Sequence, residues 1–235
     1  MVKLGNKRTH LLRLSRQIRK QRIGLMGGSF NPAHKAHEEI AEVARKQAKL
    51  KEVWWLVSPQ NPLKHDANML PFHERLQSAL KLTRNKPWLK VLDYEYQLQK
   101  AKCYPDNRAS TVITLSYLSK QFPATSFVWI MGADNLVQFM RWQNAPKIAR
   151  LVDICVMNRP EFTYKALASR SIAALGTRVS THNLGSSPKR KWAYSFSTRN
   201  TLSATKIRQN KNQHLMLSTK KKLTALIIIY FLFFF

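Results

Sequence analysis

The stretch Arg22–His37, RIGLMGGSFNPAHKAH, has the pattern of a strand, a glycine turn and the start of a helix. The apolar run Ile23–Met26 predicts the strand. Apolar residues that recur through Ile40, Val43 and Ala44 predict the helix. A strand, a turn and a helix in this order are typical of α/β proteins.

The turn and the first helical residues have the composition of an anion site. Gly27–Gly28 carries no Cβ, so the backbone can come close to a ligand. Asn31 can cap the helix and Pro32 suits its first position, which leaves a row of backbone N–H groups for an anion. His34 and His37 are three residues apart and are predicted to share one helix face beside that row. Two imidazoles and amide donors at one strand end suit a nucleotide triphosphate.

Simpler interpretations of the same residues stay open. A glycine pair after a strand is often only a turn, and H-x-x-H spacing often occurs on protein surfaces. The two histidines could also form half of a metal site, but zinc needs at least a third protein ligand. The sequence contains no H-E-x-x-H, and Cys103 and Cys155 lie in no C-x-x-C, so we predict no metal held by the protein.

Length and composition predict one globular domain with a sizeable core, since the 235 residues are 44% hydrophobic and 22% charged. The two widely separated cysteines predict a reducing compartment, the cytoplasm, without a disulfide framework. A net charge of +28 predicts attraction to polyanions, whether nucleotides, nucleic acid or an anionic membrane. Because one nucleotide pocket does not need this charge, we interpret most of it as solvated surface.

Both ends of the chain differ from the predicted central domain, residues 22–209. Residues 1–21 contain basic and no acidic side chains, and we interpret them as a disordered or loosely helical extension. A transit-like peptide and a nucleic-acid arm are the alternatives. Residues 210–235 form a basic and then apolar tail, in which Leu223–Phe235 is too short to span a membrane, which needs about 20 residues. A tail anchor and a frameshifted end both stay open.

Two motifs, one near each end of the central domain, carry a resemblance to a known family. GGSFNPAHKAH resembles the signature of nucleotidyltransferases with an H-x-x-H or H-x-G-H box, and within them the bacterial nicotinate mononucleotide adenylyltransferases. That family usually has Asp where Asn31 stands and Gly where Ala36 stands. Leu202–Arg208, LSATKIR, resembles the family's second signature, I-S-S-T-x-I-R, with Ala204 in place of a serine.

The fold class predicted from these patterns is α/β, a Rossmann-like doubly wound parallel sheet of about five strands with helices on both faces. Trp192–Phe196 could be a late edge strand. After the first strand, apolar runs predict strands over Glu52–Ser58, Leu89–Leu92, Ser126–Met131 and Asp153–Asn158. Helices are predicted over Phe72–Thr83, Ser110–Lys120 and Asn135–Met140, with a weak one near Ala166–Ala174.

Several polar residues follow the predicted strands. Asp134 lies just past a strand end, where it could hold a ribose hydroxyl or cap a helix. Arg159, in an N-R-P triplet typical of the family, can grip a carboxylate or phosphate. Arg75 falls where the family has a helix arginine, with a solvated arginine as the alternative. Thr111 and Thr114 resemble the family's S-x-x-T-x-x-x-L helix, in which Thr114 could serve only in packing.

The resemblance assigns the site residues as follows. The predicted catalytic residues are His34, His37 and Arg208. The predicted ATP-binding residues are Gly27, Gly28, Ser29, Phe30, His34, His37, Asp134, Ser203, Thr205 and Arg208. The predicted mononucleotide-binding residues are Lys64, Thr111, Trp142 and Arg159.

The activity implied by the resemblance is transfer of AMP from ATP, with Mg²⁺, to nicotinate mononucleotide, which yields deamido-NAD and pyrophosphate. Nicotinamide mononucleotide or another phosphate acceptor is the alternative within this class. A basic nucleic-acid-binding protein is the alternative from another class, although no RRM, KH or zinc-finger pattern supports it, and we expect no specific nucleic-acid partner. The sequence does not indicate an oligomeric state.

Overall fold

Residues Arg22–Gly28 form a strand that lies inside a parallel sheet. The computed structural model describes residues 21–59, 69–186 and 190–196. Every pairing between neighbouring strands of this sheet is parallel. The strands are β1 Arg22–Gly28, β2 Glu52–Val57, β3 Leu89–Leu92, β4 Ser126–Gly132, β5 Asp153–Met157, β6 Thr177–Arg178 and β7 Lys191–Ser195. Among the described residues, their order in the sheet is β3-β2-β1-β4-β5-β7-β6.

Helices connect these strands and cover both faces of the sheet. Trp54 and Trp55 are consecutive in β2, and both are fully buried, in separate core layers. Strands buried on both faces are continuously apolar rather than alternating, which explains the run EVWWLV. The helices are α1 Lys35–Gln47, α2 Phe72–Thr83, α3 Tyr94–Lys100, α4 Thr111–Gln121, α5 Ala133–Val137, α6 Ala145–Leu151, α7 Thr163–Leu167 and α8 Ile172–Leu175.

The two core layers use different helices. On one face, Trp54 packs in a cluster with Leu115 of α4 and Ile148 of α6. On the other, Trp55 packs in a cluster with Ala44 of α1 and Ala79 of α2. Burying one large apolar side chain contributes about 1.5–3 kcal/mol, so the two layers anchor the strand ends that carry the candidate site.

The strand order reverses between β1 and β4. From β1 the chain proceeds to β2 and β3 on one side of the sheet and then crosses to β4 on the other. In open α/β sheets, ligands bind in the crevice beyond the carboxyl ends of the strands at such a reversal. Gly28 ends β1 and Gly132 ends β4, so the glycine turn and the segment containing Asp134 lie at this crevice.

The predicted α/β class is confirmed, whereas the predicted count of about five strands is too low, since the sheet has seven strands among the described residues. Trp192–Phe196 was expected at an edge, but β7 pairs with β5 on one side and with β6 on the other. Strand β6 contains only Thr177 and Arg178, and both are exposed, so no apolar pattern in the sequence predicts this strand.

Most helix predictions agree with the structure. Helix α2 has the predicted bounds, and α4 begins at Thr111, one residue after the predicted start. The helix predicted over Asn135–Met140 is shorter and earlier, because a 3₁₀ turn replaces its second half. No helix in the described ranges is long and apolar enough to cross a membrane. The predictions for residues 1–20 and 210–235 lie outside the described residues.

Candidate active site

The glycine turn is built around a close contact with the sheet. A Cβ at Gly27 would come within 2.6 Å of the Trp129 ring on β4, so this glycine permits the packing of the two strands. The carbonyl of Gly28 accepts a hydrogen bond from the Ser58 N–H at 2.9 Å, which continues the pairing of β1 with β2. Packing against Trp129 is therefore enough to require glycine at position 27, and the predicted contact of Gly27 with ATP stays a prediction.

Phe30 supports the turn from inside the protein. Its side chain is only 2% exposed, and its ring centroid lies 4.7 Å from that of Trp55 and 5.0 Å from that of His37. The ring therefore belongs to the core, and the contact of Phe30 with ATP stays a prediction. The Phe30 φ of +46° lies in the left-handed region, which costs a non-glycine residue of order 1–2 kcal/mol.

The helix starts later than predicted. Its N-cap is His34 and its first residue is Lys35, so the prediction of Asn31 as cap and Pro32 as first residue is wrong. Asn31 is buried, and its Oδ1 accepts a hydrogen bond from the Leu70 N–H at 3.1 Å. The side chain expected at the cap is engaged by the segment that precedes α2, and the chain enters the helix three residues later.

His34 and His37 lie against each other, with ring centroids 3.7 Å apart. The His34 N–H donates to His37 Nδ1 at 3.3 Å, and the His37 N–H donates to the His34 carbonyl at 2.9 Å. Because Nδ1 of His37 accepts, the proton of its neutral ring resides on Nε2. The two imidazoles are adjacent as predicted, but His34 occupies the cap rather than the helix proper.

His34 is an unusually weak base in this setting. Burial, and then the positive charge of Arg159, lower the pKa of His34 from 6.5 to about 4. Its Nδ1 is buried and finds no hydrogen-bond partner among the described residues. The ring is therefore neutral at pH 7 and can act as a hydrogen-bond donor without carrying a charge.

Arg159 forms an ion pair with Asp134. Its Nη1 lies 2.7 Å from Asp134 Oδ2, and both side chains are 28% exposed. Gly132 makes room for this carboxylate, since a Cβ there would overlap Asp134 Oδ1. The structure thus joins a residue predicted to bind the mononucleotide to one predicted to bind ATP, and the charge of Arg159 also acts on His34.

The end of β5 is fixed by two side chains to which the sequence analysis gave no role, those of Thr163 and Tyr194. Oδ1 of Asn158 accepts hydrogen bonds from the Thr163 hydroxyl at 2.6 Å and from the Tyr194 hydroxyl at 3.0 Å. Asn158 immediately precedes Arg159, so these bonds hold the backbone from which the arginine projects. Tyr194 lies on β7 and is buried. The only signal for this in the sequence was the alternating pattern of Trp192–Phe196.

The candidates for the pyridine side have different environments. Thr111 is the first residue of α4 and is partly exposed, whereas Thr114 is completely buried. Its hydroxyl lies within hydrogen-bond distance of Tyr104 Oη at 2.8 Å and of Glu95 Oε1 at 3.2 Å. Thr114 therefore packs, which was the alternative stated for it. Trp142 contacts the Trp129 ring edge to face, at 6.1 Å between centroids.

Two buried ionisable residues adjoin the site. Arg75 of α2 is 1% exposed, so the solvated arginine considered for this position is excluded. Glu95 of α3 is 5% exposed, and burial raises its pKa to about 7 against the opposing hydrogen bonds from Ser58 and Thr114. Helical spacing could have revealed Arg75, because it lies four residues before the buried Ala79.

Four predicted site residues, Lys64, Ser203, Thr205 and Arg208, lie outside the described residues. Across the described ranges, no three side chains of His, Cys, Asp or Glu are grouped so that they could hold a metal ion. Within the described residues, the candidate site therefore consists of the glycine turn, the histidine pair and the Arg159–Asp134 ion pair.

Known proteins share this sequence and fold. The Cytidylyltransferase-like family matches residues 25–210. A protein of Parvibaculum lavamentivorans, named "Probable nicotinate-nucleotide adenylyltransferase", is 46% identical over 154 residues, which cover 66% of this chain and 72% of that protein. A protein of Methylorubrum extorquens with the same name is 36% identical over 191 residues, which cover 80% of this chain and 98% of that protein.

Solved structures of low sequence identity share the fold. Plasmodium falciparum nicotinic acid mononucleotide adenylyltransferase complexed with NaAD superimposes with a TM-score of 0.60 at 17% identity, covering 80% of this chain and 83% of that one. The same enzyme complexed with APC gives 0.59 at 16% identity, with the same coverage. Since the family match covers most of the domain and the Methylorubrum relative matches over nearly its whole length, this chain belongs to the nicotinate-nucleotide adenylyltransferase family of cytidylyltransferase-like proteins.

Proposed function

We propose that this chain transfers AMP from ATP to nicotinate mononucleotide, with deamido-NAD and pyrophosphate as products. The observation that carries the proposal is the histidine pair at the start of α1, with ring centroids 3.7 Å apart, beside the glycine turn where the strand order reverses. The names of the Parvibaculum and Methylorubrum relatives support the choice of acceptor.

The chemical step needs no covalent intermediate with the protein. A phosphate oxygen of the mononucleotide attacks the α-phosphorus of ATP in line with the leaving group. The bond from the α-phosphorus to the bridging oxygen breaks, and the electron pair leaves with pyrophosphate. Because the substrate itself supplies the nucleophile, the protein contributes alignment and charge stabilisation.

The histidine pair is proposed to bind the transferring phosphate. His37 presents the proton on Nε2, and His34 provides a neutral ring whose buried Nδ1 lacks a partner among the described residues. A bound phosphate would raise the pKa of His34 and so favour its protonated form, whereas the charge of Arg159 lowers this pKa. Both rings would then strengthen their hydrogen bonds as negative charge shifts among the α-phosphate oxygens.

The other predicted residues enter this proposal with the roles that the resemblance implies. Asp134 would hold a ribose hydroxyl, and Arg159 a carboxylate or phosphate once substrate competes for its ion pair. The remaining predicted contacts are Lys64, Thr111 and Trp142 with the mononucleotide, and Ser203, Thr205 and Arg208 with the departing pyrophosphate. Mg²⁺ would enter with ATP as part of the substrate and neutralise its β- and γ-phosphates. We place the reaction in the cytoplasm.

A direct assay tests this proposal. The full chain is incubated with ATP and Mg²⁺ and with nicotinate mononucleotide, nicotinamide mononucleotide or phosphopantetheine, and dinucleotide and pyrophosphate are measured. We expect both products in equal amounts with nicotinate mononucleotide. We also expect kcat/KM for the amide to be lower by at least about tenfold, because polar groups matched to a carboxylate would be left unpaired. Absence of product with every acceptor would refute the proposal.

A further inference from the structure

Arg75 joins three separate backbone segments through one buried side chain. Its Nη1 donates to the carbonyl of Ser29 at 2.6 Å and to that of Ser58 at 2.7 Å. Its Nη2 donates to the carbonyl of Pro59 at 2.7 Å, and its Nε to that of Leu70 at 2.9 Å. The segments are the glycine turn, the end of β2 and the approach to α2.

These contacts are unusual for a buried cation. Arg75 is 1% exposed, and among the described residues no carboxylate pairs with it. Its charge is therefore compensated by four carbonyl dipoles, which a guanidinium can reach at once because its donors form a planar fork. The ammonium of a lysine, a compact charge with three donors, cannot reproduce this geometry.

The turn that Arg75 holds leads directly to the histidines. Ser29 precedes the buried Phe30, whose ring contacts His37, and four residues further on His34 caps α1. The same helix supports the turn a second time, because the Ser78 hydroxyl lies 3.4 Å from the Ala33 N–H. A shift of the Ser29 carbonyl would therefore move the backbone that positions both imidazoles.

We propose that Arg75 is a positioning residue for the transfer reaction: it fixes the glycine turn against the end of β2 so that His34 and His37 meet the transferring phosphate. This inference rests on the proposed function. Arg75 itself is 1% exposed, so the proposal gives it no contact with substrate. Its loss should therefore lower kcat while leaving KM for ATP nearly unchanged, since a displacement of about 1 Å at a reacting group can cost about 10²-fold in rate.

The test compares Arg75→Lys and Arg75→Ala with Thr83→Ala. Thr83 lies on the same helix and is buried, and its hydroxyl bonds to the Ala79 carbonyl, away from the turn. We expect Arg75→Lys to lose about 10²-fold in kcat per folded molecule, with KM for ATP within about threefold. Thr83→Ala should lower Tm and keep its kcat. Added guanidinium should restore part of the kcat of Arg75→Ala but none of that of Arg75→Lys.

Hydrogen exchange provides a readout that does not depend on turnover. Amides of residues 29–37 should exchange faster in Arg75→Lys than in the unmodified chain, and should be unchanged in Thr83→Ala. Activity lost only in proportion to the unfolded fraction, or unaltered exchange in the turn, would overturn the proposal, and so would failure of both Arg75 variants to fold. If the unmodified chain forms no dinucleotide, the proposed function fails, and exchange in the turn still decides whether Arg75 fixes it.

Discussion

Two regions of the molecule each contain a buried ionisable side chain that contacts Ser58. One is the glycine turn after β1, which Arg75 holds, and the other is the α3–α4 cluster, formed by Glu95, Tyr104 and Thr114. Arg75 donates to the Ser58 carbonyl from the turn side, whereas the Glu95 carboxyl meets the Ser58 hydroxyl from the cluster. Arginine keeps its charge at any ordinary pH, so the chain supplies four carbonyls around it. Glutamate can take up a proton instead.

The pKa of Glu95 shows how it differs from the permanently charged Arg75. Burial raises the pKa of Glu95 to about 7, and among the described residues no cation pairs with it. The turn is therefore organised by a permanent charge, and the α3–α4 cluster by hydroxyls and a carboxyl whose protonation changes near neutrality. From this we expect variants of the turn to affect turnover, and variants of the cluster to affect stability.

The largest expected effect is on the turn side, in His37→Ala. A hydrogen bond that strengthens in the transition state contributes mainly to kcat, and loss of one such donor typically costs about 10²–10³-fold. The variant should fold normally, because His37 is only partly buried. Steady-state kinetics at saturating Mg²⁺, with circular dichroism, measure both properties.

His73→Ala is the matched control for this variant, because His73 is exposed on α2. It should keep the kcat of the unmodified chain. A folded His37→Ala protein with near-normal kcat would show that the histidine pair does not act on the transferring phosphate.

On the cluster side, Glu95→Gln should remove a pH dependence of stability. The carboxyl has a pKa of 4.5 when exposed and about 7 when folded, so the folded state binds this proton more tightly. The unmodified chain therefore loses stability as pH rises from about 4.5 to 7, by up to about 3 kcal/mol at about 1.4 kcal/mol per pKa unit. Denaturant unfolding at pH 5 and pH 8 should show Glu95→Gln gaining more stability relative to the unmodified chain at pH 8 than at pH 5. An equal effect at both pH values would contradict this account.

A smaller effect within the same cluster is expected from Thr114→Val. Removing this hydroxyl leaves the buried Tyr104 hydroxyl and Glu95 with one partner fewer, at a cost of about 1–3 kcal/mol. Thr125→Val is the control, since the Thr125 hydroxyl is buried and has no partner among the described residues, so its loss should not destabilise the chain. Urea unfolding compares the two. If Thr125→Val is destabilised as much as Thr114→Val, hydrogen bonding is not the cause.

Sequence alone predicted the parts of the molecule that local patterns determine. Helix α2 was placed at its observed bounds by apolar spacing, and His34 and His37 were placed side by side by their separation in the chain. Contacts between distant segments were not predictable in this way. Arg75 and Ser29 are 46 residues apart, and nothing in either local sequence indicates their hydrogen bond.

The same reason explains why the ion pair between Arg159 and Asp134 was not predicted. Asp134 and Arg159 each follow a strand and were assigned to different substrates, because spacing along the chain does not show that neighbouring strands β4 and β5 bring them within 2.7 Å. The short strand β6 was missed because two exposed residues carry no hydrophobic pattern. Where β7 lies in the sheet depends on that strand, so its predicted edge position was wrong as well.

The smallest expected effect concerns the influence of Arg159 on His34. Burial is the larger cause of the low pKa of His34, about 4, and the Arg159 charge is the second. Arg159→Gln removes only the second cause, so the pKa should rise by less than half of the interval to 6.5. NMR titration of the imidazole from pH 8 to 4.5, assigned with His34→Asn, should show the protonated signal appearing at higher pH in Arg159→Gln than in the unmodified chain. Arg141→Gln, a change after α5, should leave the curve unaltered. Coincident curves for Arg159→Gln and the unmodified chain would mean that burial alone keeps His34 neutral, and that the ion pair with Asp134 cancels the charge of Arg159 at this ring.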